Sequence, residues 1–183
     1  MTVSTDFTFP SDYTCELLDE LPASNEVERY FFGGGRDGIL VRVTPRGRPP
    51  WIGTFAFGVH RTGISRILGM PEPRTLCVVA RGAGYLVPTD TPASCEPVKA
   101  VPIMDARAAP GAGVVVFANL TELVAYGAEG LRWRTKRLAW DGFKVVEVTP
   151  STLVGELWDL REDAARRFEV DLSTGAHRGG MED

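Results

Sequence analysis

Histidine and cysteine are scarce in this chain, two of the one and three of the other in 183 residues. The thiols Cys15, Cys77 and Cys95 show no metal-ligand spacing and are odd in number. That habit fits a reducing compartment, where cysteine serves as a small apolar residue, so a cytoplasmic protein is expected. An excess of positive charge is missing too. Twenty Lys and Arg face 24 Asp and Glu, for a net charge of -4, which argues against general nucleic-acid affinity. Residues Met1 to Pro10 hold no basic run followed by an apolar core, so no signal peptide is read there. The longest purely apolar run, Val114 to Ala118, is far too short to span a membrane. These absences leave a protein partner or a small ligand as the expected partner, with no metal and no cofactor.

What is present is strand. Val, Ile, Phe, Trp and Thr recur in short runs, and Gly, Pro, Asp and Asn fall between them. The runs are 39–44, 51–58, 75–80, 84–88 and 98–103, then 113–118, 123–126, 131–140, 143–148, 152–158 and 167–172. The fold class is therefore all-β, a large antiparallel β-sandwich or flattened barrel of about ten to twelve strands forming one domain over 1–183. Residues 1–24 read as an irregular arm. Asn25 and Glu28 have the spacing of a capping box, and Gly33 to Gly35 would end a short N-terminal helix. The small-residue stretch 104–112 reads as a linker.

One pattern occurs twice. Asp37-Gly38 leads to Val43-Thr44-Pro45 and Gly53, and Asp141-Gly142 leads to Val148-Thr149-Pro150 and Gly155. Each Asp-Gly pair has the composition of a tight hairpin turn. The recurrence makes 1–103 and 113–183 candidate halves of a pseudo-repeat, with shared hairpin chemistry as the plainer explanation. The glycine-rich run 33–38 has the letters of a phosphate-binding loop but a strand behind it instead of a helix, so it is read as a hairpin entry.

Residues Leu131 to Lys136 alternate strictly. Arg132, Arg134 and Lys136 fall on one face, Leu131, Trp133 and Thr135 on the other. Three cations on one face suit an anionic ligand, or they pair across the sheet with Glu147, Glu156 or Glu169. Beyond Arg137 the parity flips, which predicts a bulge there and puts Leu138 and Trp140 on the inner face. Trp51, Phe55, Phe57, Trp133, Trp140 and Trp158 are read chiefly as core. His60 and His177 lack a nucleophile or ligand signature around them. Asp159, Glu162, Asp163, Glu169 and Asp171 crowd together near the C-terminus, where two carboxylates could serve as acid and base.

The stretch Val124-Ala125-Tyr126-Gly127 through Arg134-Thr135, with Trp140-Asp141-Gly142 and Val170-Asp171-Leu172-Ser173-Thr174-Gly175, resembles uncharacterised bacterial all-β proteins. Its ending is similar to the outer hairpin of a β-propeller blade. The turns do not recur at a blade's period, so a closed propeller is not expected. The expected function is a binding or recognition module, with Arg132, Arg134 and Lys136 as contacts and Trp133 and Trp140 supporting them. A second reading is a hydrolase using the C-terminal carboxylates or His60. A third is a structural subunit of a homo-oligomer.

Overall fold

The computed structural model describes residues 2–23, 26–159 and 161–181. Its strands divide among four sheets that succeed one another along the chain. β1 (Ser4–Asp6) comes first in sequence but joins the second sheet. The first sheet holds β2 (Tyr13–Leu18), β3 (Glu28–Phe32), β4 (Gly38–Pro45) and β5 (Trp51–Ala56), in the order β2-β4-β5-β3. The second runs β1-β6-β7-β8-β9, with β6 (Arg66–Gly69), β7 (Thr75–Ala80), β8 (Ala83–Pro88) and β9 (Glu96–Pro97). The third is β10 (Asp105–Ala109), β11 (Val114–Ala118), β12 (Leu123–Gly127) and β13 (Gly130–Arg134) in sequence order. The fourth, also in sequence order, is β14 (Lys144–Val148), β15 (Thr152–Asp159), β16 (Ala164–Asp171) and β17 (His177–Gly179). Among the described residues, all pairings are antiparallel except β1 with β6 and β3 with β5. The fold is all-β and mainly antiparallel, as the composition of the runs implies.

Three apolar clusters lie between successive sheets, and they explain the strand sequences. β7 turns Leu76, Val78 and Ala80 toward the first sheet and Cys77 and Val79 toward the third. β11 does the same, with Val115 and Phe117 toward the second sheet and Val114, Val116 and Ala118 toward the fourth. A strand buried on both faces reads as an unbroken apolar run, whereas one buried on a single face alternates. β15 shows the alternation: Leu153, Gly155, Leu157 and Asp159 are buried, while Thr152, Val154, Glu156 and Trp158 are not. In the first sheet, Ile52 and Thr54 alternate with the core residues Trp51 and Phe55 and are buried as well. On the neighbouring strand β3, Arg29 donates to the Pro22 carbonyl, which ties the chain after β2 to the sheet.

The meanders of the third and fourth sheets have the up-and-down order of a propeller blade. Several local expectations are corrected. Glu28–Phe32 is a parallel strand, not a helix, because Tyr30 and Phe32 pack their rings against Trp51 of the first sheet; Asn25, the expected cap, lies outside the described residues. The supposed linker 104–112 contains β10, which pairs with β11 along its full length. The supposed arm contains β1 and β2, and 98–103 is irregular chain.

Neither Asp-Gly pair is a hairpin turn. β3 and β4 do not pair, and Asp141-Gly142 joins the third sheet to the fourth. Gly38 is needed because a Cβ there would run into the Phe55 carbonyl oxygen. A tight two-residue turn with positive φ is formed by Arg81-Gly82, with φ of 47° and 79°, which closes β7 on β8. The two repeated hairpins, β4–β5 and β14–β15, stand at different positions in their sheets: β4 is an inner member and β14 an edge.

Candidate functional site

β13 is the outer edge of the third sheet and carries the basic residues. Trp133 faces inward, 8% exposed, and its indole N–H donates to the Leu172 carbonyl at 2.8 Å. Thr135 is also buried, and its hydroxyl accepts the Leu123 N–H. Arg132, Arg134 and Lys136 are all exposed. Arg134 is nevertheless engaged: its Nε lies 3.5 Å from Glu122, and its Nη2 donates to the Lys99 carbonyl. The acidic partner is thus Glu122 on the β11–β12 turn instead of Glu147, Glu156 or Glu169. Glu156 pairs instead with Arg167 across the sheet.

The irregularity expected near Arg137 falls earlier. The β12–β13 register shifts at Ala125/Tyr126, which leaves Arg132 without an opposite residue and Leu131 48% exposed. Arg132 therefore lies beside the recess at the hairpin tip, with Glu129 and Leu131, and donates to the Ala112 carbonyl. The strand stops at Arg134, so parity no longer governs the residues beyond it. Leu138 is buried as expected, but Trp140 is not on the inner face: it is 59% exposed, with the Arg137 guanidinium 4.7 Å from its ring centre.

Trp140 faces a cleft that the sequence pattern did not reveal. Trp158, 58% exposed on β15, also borders it. The cleft has a volume of about 310 Å³, and Asp141, Gly142, Asp159, Arg161 and Met181 complete its walls. Large apolar groups exposed together mark a surface that meets something, whereas single ones are ordinary. The signal for Trp158 was present in the sequence, since it shares parity with Thr152 and Glu156 while Leu153 and Leu157 carry the buried face.

Asp159 holds this region together. It is 7% exposed and accepts from the Arg161 backbone N–H at 2.8 Å and from Arg166 Nε at 2.9 Å. Arg166 also pairs with Glu162, so both carboxylates are engaged in ion pairs with one guanidinium. Of the other acidic residues of the C-terminal group, Asp163 is exposed in the turn after β15, without an ion pair to another described residue. Asp171 accepts the N–H and hydroxyl groups of Ser173 and Thr174, which hold its carboxyl below the usual carboxylate range. Glu169 stands opposite Arg178 in the β16–β17 pair.

Among the described residues, His60 hydrogen-bonds Thr62 and no carboxylate, in the loop before β6. His60 thus lies on the connection between the first and second sheets and the carboxylates on the fourth, and among the described residues no hydrogen bond joins them. Burial pushes the Cys15 and Cys95 thiols up to about 11 and raises Cys77 further, which removes them as nucleophiles near neutral pH. Among the described residues no three His, Cys, Asp or Glu side chains group so as to hold a metal ion, and no helix is long and apolar enough to cross a membrane.

No family model matches the chain, and no curated protein matches it. Two solved structures are similar to it. The N-terminal domain of Nup159 is 13% identical with a TM-score of 0.43, covering 98% of this chain and 54% of that one. A chain from the S. cerevisiae complex of dbp5 bound to nup159, gle1, IP6 and ADP is 12% identical with a TM-score of 0.43, covering 98% and 55%. The chain thus spans about half the length of the solved chains it matches.

Proposed function

We propose that the protein is a cytoplasmic recognition module, not a catalyst, and that it captures a protein partner or small ligand at the Trp140–Trp158 cleft. The observation that carries this reading is the pair of half-exposed indoles bordering one concavity. A buried indole stabilises a core, but two left in water beside a shared cleft do nothing for folding. Their burial by a ligand would supply the apolar contact that dominates binding energetics. The base of the cleft is rigid, because Asp159 and Arg166 tie the end of β15 to β16.

Of the basic residues on β13 and just after it, Lys136 precedes this cleft closely in sequence and belongs with it. Arg132, beside the recess at the other end of the strand, belongs to a separate surface. Arg134 serves the fold through Glu122 and Lys99. Trp133 supports the sheet beneath. The test compares ligands retained by the immobilised wild-type protein and by Trp158→Ala from the same cytosolic extract. A defined component should be lost from the variant while its melting temperature stays that of wild type. Identical retention by both proteins would overturn the proposal.

A further inference from the structure

We infer that the ligand of the Trp140–Trp158 cleft is a linear protein segment carrying a bulky apolar side chain flanked by acidic residues. This rests on the cleft being the binding site, and adds the charge and the polymer class of the occupant.

The charge follows from which ionic groups around the cleft are already engaged. Asp159 and Glu162 are the acidic residues of the β15–β16 connection that carry ion pairs, and Arg166 is shared between them. The cations are unsatisfied. Among the described residues, Arg161 in the cleft wall has no carboxylate partner for its guanidinium. Arg137 is held against the Trp140 ring, and Lys136, its exposed neighbour in sequence, has no ion pair among the described residues. Asp141 in the cleft wall and Asp163 in the turn after β15 are carboxylates without an ion pair to another described residue. The unpaired groups are thus three cations, Lys136, Arg137 and Arg161, against two carboxylates, a small cationic excess on a protein whose net charge is -4. A guanidinium stacked on an indole keeps its N–H fork in plane and available for a carboxylate. An acidic group approaching Trp140 would therefore meet Arg137 at once.

The apolar part follows from the walls. Trp140 and Trp158 offer ring surface, and the concavity of about 310 Å³ is sized for one or two side chains, not for a folded domain. An anionic membrane shares the affinity for indoles and cations. However, membrane-docking tryptophans project from a convex surface, and these two border a concavity. An inserted side chain with acidic neighbours satisfies both the apolar walls and the cations at the rim.

The probe is an acetylated and amidated peptide of one phenylalanine with two glutamates on each side, titrated by calorimetry and by indole fluorescence. Two comparison peptides replace the phenylalanine by alanine or the four glutamates by lysines. Each comparison peptide should bind the wild-type protein about 10-fold more weakly or worse, since one hot-spot contact is worth at least that. Binding of the first peptide should weaken as salt is raised. Trp158→Ala should lose about 10-fold, and Arg161→Glu, an exposed change in a turn, should lose a similar factor with no change in melting temperature.

Equal or tighter binding of the lysine peptide would overturn the acidic assignment. So would the absence of peptide binding up to millimolar concentration, or binding to anionic phosphatidylserine vesicles in place of the peptide. The failures are separable. If Trp158→Ala weakens both charged peptides equally, the cleft stands as the site and only the acidic assignment falls. If Trp158→Ala changes no binding that occurs, the cleft reading falls with it.

Discussion

Phe168 on β16 lies across Gly155 on β15, so that a Cβ on the glycine would run into the Phe168 Cζ. The two residues are direct cross-strand partners, and Phe168 is fully buried. The ring takes the place that a side chain at 155 would fill. Gly53 in β5 shows the same use of glycine, with the rings of Phe55 and Trp51 closing over it.

Gly155→Ala is therefore expected to destabilise the protein by about 1–3 kcal/mol, the usual cost of overpacking a well-filled core. Phe168→Ala, which opens a cavity at the same point, should cost more, about 3–5 kcal/mol. Chemical denaturation of the two variants checks the order. A Gly155→Ala protein as stable as wild type would show that the ring moves aside freely.

Trp133 and Trp140 stand close together in sequence and should behave in opposite ways. Trp133→Phe keeps an aromatic ring but leaves the buried Leu172 carbonyl without its indole donor, at a cost of about 1–3 kcal/mol. Trp140→Phe should leave stability within about 0.5 kcal/mol of wild type, as exposed substitutions do. Thermal unfolding of both proteins distinguishes the structural indole from the exposed one.

Charge reversal on the basic strand should separate fold from surface. Arg134→Glu sets a carboxylate against Glu122 and removes the donor to the Lys99 carbonyl, so its melting temperature should fall. Lys136→Glu touches no such partner and should melt as wild type does. A ligand-capture defect seen in Arg134→Glu alone is then a folding effect, and the same defect in Lys136→Glu is a binding one.

Alkaline pH should weaken the fold before neutral pH does. Burial raises the thiols of Cys15 and Cys95 from 9.0 to about 11 and lifts Cys77 and Tyr13 further. Between about pH 9 and 11 the unfolded chain gives up protons that the folded chain keeps. The stability linked to these groups is therefore complete below about pH 9 and is lost as pH rises through the folded values. Melting temperatures measured between about pH 8 and 10.5 under reducing conditions should decline. A double variant Cys15→Ala with Cys95→Ala should decline less steeply.

Strand content was legible wherever packing on both faces writes an unbroken apolar run, as in β7 and β11, or packing on one face writes strict alternation, as in β15. It was illegible where tertiary context overrides local preference. Glu28–Phe32 has caps and spacing that suit a helix, but its rings pack on Trp51, and the chain follows the rings. β10 is rich in alanine and looks like a linker until β11 lies alongside. The candidate site divided in the same way. Parity identified the exposed cations on β13, and it also held the clue to Trp158. It misplaced Trp140, because parity has no meaning once the strand has ended at Arg134.

The sharing of β7 and β11 between two cores has a consequence for how the molecule opens. Pulling either strand loose breaks two apolar contacts at once, so the middle of the stack should resist solvent longest and exchange its amide hydrogens last. Within the described residues, the first and fourth sheets each share an apolar cluster with one neighbouring sheet only. The cleft between Trp140 and Trp158 is therefore built on an end layer, away from the doubly packed middle, and an occupant there would act as a clamp on that end of the molecule.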